Sequence, residues 1–262
     1  MTTKRSFISP TILALVIIFC YIPIISLIVF SFNDSQSLTN WTGFSFQWYG
    51  KLMNDKAIID AVLMTFIIAI LATIISTIIG TLAAIGLSRN KRRFRSTVLG
   101  LNNIPIVNPE IVTAIGMLLL FQSIQLERGY FTMLLAHIAF CVPYVIITVY
   151  PKVKNLDPSL TEAAMDLGAT PLLALRHAIL PQIKVAVFAA AAISFTMSFD
   201  DFVISYFTAG SSTNISIYLY TLKRGVNPSI NALSTIMILV ITVVVSLNFV
   251  RNRKQFLKGE KE

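Results

Sequence analysis

Long apolar runs without charge alternate with short polar stretches along this chain. About 20 apolar residues in a helix cross the hydrocarbon core of a bilayer. Six stretches meet that measure: residues 11–30, 61–87, the interior of 98–122, the interior of 130–150, 185–207 and 232–250. The polar connections are short, and no repeat recurs at a fixed period. The pattern therefore predicts an all-α, polytopic membrane protein with six transmembrane helices, residues 1–262 forming a single transmembrane domain. The first run follows Lys4 and Arg5, as in a signal peptide, but it is too long for a typical h-region and no small-residue cleavage site follows. It reads as a retained span.

Two places depart from the simple alternation. The third run is crowded at its start by Asn102, Asn103, Pro105, Asn108 and Pro109. Prolines remove donors and obstruct a helix, and a broken backbone persists in lipid only against protein or a watery cavity. Half-broken helices of this kind line transport sites. The second departure is 157–181, DPSLTEAAMDLGATPLLALRHAILP, within a polar loop of 151–182. It predicts two short helices and a hinge. Asp157 caps the first, with Pro158 in its first turn. Ser159 and Glu162 have the spacing of a capping box. Gly168 supplies the left-handed residue that ends that helix. Thr170 and Pro171 repeat the cap and proline, Arg176 and His177 occupy the last turn, and Pro181 stops the second helix.

Composition supports a membrane reading. The chain is 55% hydrophobic and only 13% charged, about half the charge of a soluble domain. The net charge of +9 admits a nucleic-acid partner, but the basic residues flank apolar runs, which favours topology. Of 21 Lys and Arg, only Lys51, Lys56, Arg128, Lys223 and Arg224 fall on one side of a six-span chain, leaving sixteen on the other. That side carries both termini and the polar elbow, so these are expected to be cytoplasmic. Trp41, Trp48 and Tyr49 in the first outer loop read as an interfacial aromatic belt or as ligand contacts. Cys20 and Cys141 sit in apolar runs as free thiols.

Ionisable residues inside spans are functional candidates by default. Here they are Glu110, His137, Asp200 and Asp201. Measured from Lys184 and Arg95, the acids stand about 22–24 Å along their helices, in the outer half of the membrane at similar height. Acid at one level from two elements suggests a cation path, with Asp200, Asp201 and Glu110 as its candidates. The competing reading makes these acids caps of helix breaks. Adjacent helical positions differ by about 100°, so Asp200 and Asp201 do not both face one cavity, and one of them is structural. Phe199 and Tyr206 stand among the surrounding rings, whose faces attract ammonium groups. His137 reads as a hydrogen-bonded packing residue rather than a metal or proton site. There is no phosphate-binding loop, no nucleophile elbow, no catalytic pair and no metal-ligand spacing.

The elbow also carries a resemblance. Glu162, Ala163, Ala164, Gly168, Leu180 and Pro181 match the EAA loop of permease subunits of ABC importers, with Ala178 where that pattern usually has isoleucine. The stretches HIAFCVPYVIITVYPKVKNLDPSLTEAAMDLGA and FTMSFDDFVISYFTAG are similar to those of permeases that serve spermidine/putrescine importers, most closely the second of their two permease subunits. The resemblance implies a type I ABC importer architecture in a bacterial inner membrane. It implies partners: an unlike permease, two ATPase subunits and an extracytoplasmic polyamine-binding protein. It implies that Glu162, Ala163, Ala164 and Gly168 dock in a groove of an ATPase subunit, that ATP and Mg are used by the partners, and that this chain binds no cofactor. The alternatives are the same machine with another cationic or organic cargo, and a stand-alone secondary transporter.

Overall fold

The computed structural model describes residues 8–37, 39–157, 159–222 and 228–259. Lys4, Arg5, Pro158, Lys223, Arg224 and Lys261 lie outside the described residues. The chain divides into two compact units, Met1–Ile59 with Leu222–Glu262, and Asp60–Thr221. Among the described residues there is no strand, only an isolated bridge between Asn33 and Phe44.

In the first unit, α1 (Ile8–Phe30), α2 (Gln47–Asn54) and α12 (Pro228–Gly259) pack with α12 against the other two. The loop after α1 is organised by Asn33, which is fully buried. Its amide donates to the carbonyls of Ser37 and Asn40, each at 2.9 Å, and its Oδ1 accepts from the Thr42 amide at 2.9 Å. The Trp48 indole donates to the Asn33 carbonyl at 2.6 Å. Trp48 is consequently buried, while Trp41 stays exposed. Of the aromatics expected at the interface, Trp48 instead holds the loop together, because its N–H finds a partner inside it.

The second unit is built around α6 (Tyr130–Lys154), the most buried of the long helices. Around it stand α3 (Lys56–Arg89), α4 (Arg92–Val107), α5 (Glu110–Ser123), α9 (Leu180–Phe199), α10 (Val203–Thr208) and α11 (Ile215–Thr221). Lipid tails are as apolar as leucine, so helices here associate by close packing and internal hydrogen bonds. Ala84, Val145, Val149, Val153, Ile183 and Ala190 make one core of α3, α6 and α9, joined by Ile179 just before α9. Ala114, Phe121, Ala136, Phe140 and Ile204 make a second, of α5, α6 and α10. Gly80 lets α3 approach α6: a Cβ placed there would lie 2.5 Å from the Val145 Cβ.

Four of the expected spans are single helices of sufficient length and apolarity: Pro10–Phe30, Lys56–Arg89, Tyr130–Lys154 and Pro171–Phe199. The third expected span is a pair, α4 and α5, bent by 105° at Asn108–Pro109, the crowded stretch of the sequence. Pro105 is carried inside α4. The apolar described part of the sixth, Pro228–Val243, is shorter than a full span. The fifth differs from expectation at both ends. It ends at Phe199 rather than continuing to 207, so Asp200 and Asp201 sit in a break and not on a continuous helix. It begins at Pro171, because α8 (Pro171–Ala174), a π-turn (Leu175–Ile179) and α9 follow without interruption. Pro181 therefore does not stop the elbow's second helix. A proline clashes with the carbonyl four residues back in an α-helix. Here the turn before it is widened, with the Leu180 amide bonded to the Leu175 carbonyl, and the chain passes the proline as a helix. Arg176 and His177 accordingly lie inside a long helix and not in a last turn.

Candidate functional site: an elbow and an acidic break

The elbow forms as its local sequence dictates. Asp157 Oδ1 accepts from the Ser159 amide at 2.9 Å, at the start of α7 (Ser159–Asp166). Bonds from Ser159 hold the Asp157 carboxyl below its ordinary range. Gly168 ends the helix at φ +85°. Its amide bonds to the Met165 carbonyl at 2.9 Å and the Ala169 amide to the Ala164 carbonyl at 3.0 Å, a Schellman motif. The Thr170 hydroxyl accepts from the Leu173 amide at 3.4 Å, with Pro171 opening α8. Glu162 and Ala163 are exposed, Ala164 and Leu180 half-buried, and Pro181 exposed. Met165, Leu167, Leu172 and Leu173 are exposed as well, Leu167 by 89%. Behind α7 lies a cavity of about 280 Å³ lined in part by Ser88, Arg89, Lys154, Asp157 and Glu162.

The second site is the break after α9. Asp200 is exposed, whereas the Asp201 side chain is buried. Asp201 Oδ1 accepts from the Ile204 amide at 3.2 Å, and Oδ2 accepts from the Ser205 amide and hydroxyl, each at 2.8 Å. These amides open α10 and would otherwise lack acceptors, so Asp201 is its cap. Glu110, half-buried at the start of α5, faces Asp201 and feels the charge of Asp200. The break in the third span and the break in the fifth thus bring their acids together. Phe199 stacks on Phe195 at 5.3 Å and meets the edge of Phe66 at 5.1 Å. Tyr206 belongs to a different group: Phe202, Tyr206 and Tyr220 form a triangle with centroids 4.7–5.5 Å apart, and both tyrosines are exposed. Exposed ring faces and an exposed carboxylate two residues away in the chain both favour an organic ammonium group electrostatically.

Sequence reasoning missed much of what supports the break. His137 is buried, with Nδ1 at 2.7 Å from Ser198 Oγ and Nε2 at 2.9 Å from Ser205 Oγ. Asn214 is buried too and donates to Ser205 Oγ at 2.8 Å. Thr132 donates to the Thr208 carbonyl at 2.8 Å. The available signal was serine at 194, 198 and 205, polar positions on an otherwise apolar span. Among the described residues no group of His, Cys, Asp and Glu has the arrangement of a metal site.

Apolar helices long enough to cross a bilayer, one of them continuous with a capped polar elbow and ending at an acidic break, define a membrane transport component. The chain belongs to the family described as binding-protein-dependent transport system inner membrane component, matched over residues 76–255. That match includes the elbow, both breaks and His137. The spermidine/putrescine transport system permease protein PotC of Escherichia coli (strain K12) is 40% identical over 229 residues, covering 87% of each chain. The PotC of Haemophilus influenzae is 39% identical over 96% of this chain and 98% of its own. The putrescine transport system permease protein PotI of Escherichia coli (strain K12) is 38% identical over 89% of this chain and 86% of its own. Among solved structures, a bacterial ABC transporter for import of the acidic polysaccharide alginate matches with TM-score 0.74 over 94% of both chains, at 16% identity. An amino acid ABC transporter matches with TM-score 0.56 over 80% of this chain and all of its own, at 20% identity. These two speak to the fold alone. The chain is a multi-pass inner-membrane permease component with an all-α fold.

Proposed function

We propose that this chain is one permease subunit of an ATP-driven importer of polyamines, spermidine or putrescine. The observation that carries the cargo is the break after α9, where exposed Asp200, whose charge reaches Glu110, stands two residues before Phe202 of the Phe202, Tyr206 and Tyr220 ring triangle. Carboxylates and ring faces suit a flexible polycation, and an exposed site of modest strength releases what it receives. Identity near 40% to permeases named for spermidine and putrescine transport supports the same reading. Asp200, with Glu110, Phe199 and Tyr206, contributes to the path, and Asp201 holds the step in shape.

The elbow is the coupling piece. Glu162, Ala163, Ala164 and Gly168 dock an ATPase subunit, helped by the exposed apolar Met165, Leu167 and Leu172, while Leu180 and Pro181 join that helix to the fifth span. The chain has no phosphate-binding loop, so ATP and Mg belong to two partner ATPase subunits. An unlike second permease and an extracytoplasmic polyamine-binding protein complete the machine. The excess of Lys and Arg on one face supports cytoplasmic termini and a cytoplasmic elbow.

The test is reconstitution. The chain, its companion permease and ATPases, and the binding protein are assembled in proteoliposomes, and ATP-dependent uptake of labelled spermidine and putrescine is measured. Uptake that disappears when this chain is omitted supports the proposal. An assembled complex that hydrolyses ATP but imports neither polyamine overturns the cargo. One whose ATPase is indifferent to replacement of Glu162 and Gly168 overturns the docking role.

A further inference from the structure

The buried network around His137 has a direction that its chemistry determines. Ser205 donates its only hydroxyl proton to Asp201 Oδ2 at 2.8 Å, so its oxygen accepts from its other neighbours. One is the Asn214 amide at 2.8 Å, whose own oxygen is occupied by the Ile217 amide at 2.9 Å. The other is His137 at 2.9 Å, which must therefore present Nε2–H. Nδ1 is then an acceptor and takes the Ser198 proton at 2.7 Å. A neutral imidazole satisfies every member. Nε2 also lies 3.4 Å from Asp201 Oδ2.

The two serines lie on opposite sides of the break. Ser198 is in the last turn of α9, and Ser205 is in α10. His137 belongs to α6, and Thr132, also on α6, bonds the carbonyl of Thr208 at the end of α10. His137, Ser198, Ser205, Asp201 and Asn214 are each no more than 5% exposed. In such surroundings an unmade hydrogen bond is costly and a complete network specifies one geometry.

We propose that His137 is a positioning residue for the cation path: α9 is already packed on α6, and the Nε2–H bond to Ser205 ties α10 to the same helix, which fixes the angle between α9 and α10 and so presents Asp200 toward the cargo. His137 touches no cargo. Its effect passes through Ser205 and the Asp201 cap. The uptake readout rests on the polyamine reading above, whereas the labelling readout below does not.

Asparagine and glutamine place an amide near the positions of Nδ1 and Nε2 respectively. His137→Gln therefore retains a donor for Ser205, His137→Asn retains a partner for Ser198 only, and His137→Ala retains neither. In the reconstituted importer, His137→Ala and His137→Asn are expected to raise the half-saturating spermidine concentration about tenfold, the effect of one lost buried hydrogen bond. Maximal uptake per assembled complex stays near that of the parent, and His137→Gln restores the parental value. In a second arm, Asp200→Cys in a Cys20→Ser background is labelled with a polar maleimide. Labelling should accelerate about threefold or more when His137→Ala or His137→Asn is added, but not with His137→Gln. Equal behaviour of the Gln and Asn variants, or an Ala variant whose uptake falls only with the amount of complex recovered, overturns the proposal. If the parent imports no spermidine, the cargo reading fails and the labelling arm decides the role of His137. If the Ala variant does not assemble, the comparison of Gln with Asn decides it.

Discussion

Separating the two neighbouring acids is the sharpest test of the break. Asp201→Ala removes the acceptor of two buried amides, Ile204 and Ser205, and of the Ser205 hydroxyl. The hydroxyl can turn elsewhere, but the amides at the start of α10 cannot. Each buried donor left unsatisfied costs about 1–3 kcal/mol, so the variant should lose about 2–6 kcal/mol. At about 2–4 °C per kcal/mol for a chain of this size, that corresponds to about 4–24 °C in apparent melting temperature. Asp201→Asn keeps one acceptor oxygen and should fall between. Asp200 is exposed, and its carboxyl makes no hydrogen bond among the described residues. Asp200→Asn should change stability by no more than about 0.5 kcal/mol. Its expected loss is in uptake, about tenfold or more, because a charge-assisted bond to an ammonium group contributes about 1.5–3 kcal/mol. The assay pairs thermal challenge of the detergent-purified complex, read by size exclusion at a fixed heating rate, with spermidine uptake per assembled complex. An Asp201→Ala variant as stable as its parent would refute the capping argument. An Asp200→Asn variant as unstable as Asp201→Ala would show that the two acids do not divide the work as their burial implies.

Three further outcomes follow from the glycines and their neighbours. A Cβ at Gly168 meets nothing within 4 Å, so Gly168→Ala costs only the left-handed backbone, about 1–2 kcal/mol. Hydrogen exchange at the Ala169 amide should accelerate about 5–30-fold, and less in Gly168→Asn, because asparagine tolerates that conformation; unchanged protection contradicts the Schellman assignment. Gly80→Ala sets a methyl 2.5 Å from the Val145 Cβ, and a double-mutant cycle with Val145→Gly should show a coupling of about 1 kcal/mol or more. Gly210→Ala adds a Cβ that overlaps the Arg128 carbonyl oxygen, at φ +58°. Because the clash is with backbone, changing the Arg128 side chain should not restore the yield of folded complex by size exclusion.

The parts of this structure that were legible in the sequence are local. Asp157, Gly168 and the Thr170–Pro171 pair act on amides within a few residues, so their roles can be read without knowing the fold. The crowding of Asn and Pro before Glu110 likewise announced the break between α4 and α5. What escaped depends on partners far along the chain. His137 meets residues 61 and 68 positions away, and Tyr220 completes a ring triangle with Phe202 and Tyr206. Proline was misread for a related reason. Pro181 excludes an α-helical hydrogen bond but not a helix, and whether the chain stops or widens into a π-turn depends on what the flanking residues can bury. Ile179 and Ile183 are buried against α6 on both sides of Pro181, which favours continuing. The alternation of Asp200 and Asp201 around a helix was replaced by a starker division, one acid exposed and one in the core. Asp201 is the structural one because α10 begins immediately after it and needs a cap.

Joining the elbow and the fifth span into one helix changes what a movement at the elbow can do. Pro171–Phe199 is a 29-residue element, about 43 Å at helical rise, with the EAA-like segment before one end and Asp200 directly after the other. Regular α-helical bonding is interrupted at two places, the π-turn at Leu175–Ile179 within it and the break at Asp200–Phe202 directly after it. The first is stiffened by Ile179 and Ile183, packed with Val145, Val149 and Val153 of α6. A displacement of the helix therefore tends to carry α6 with it rather than bend it at Pro181. The second is spanned by His137, which itself belongs to α6 and bonds both limbs. The same helix thus braces the lever along its length and holds the step at its tip. On the coupling role proposed above, motion from the elbow reaches Asp200 through this braced pair, and the placement of the carboxylate depends on a histidine that bonds both limbs of the break.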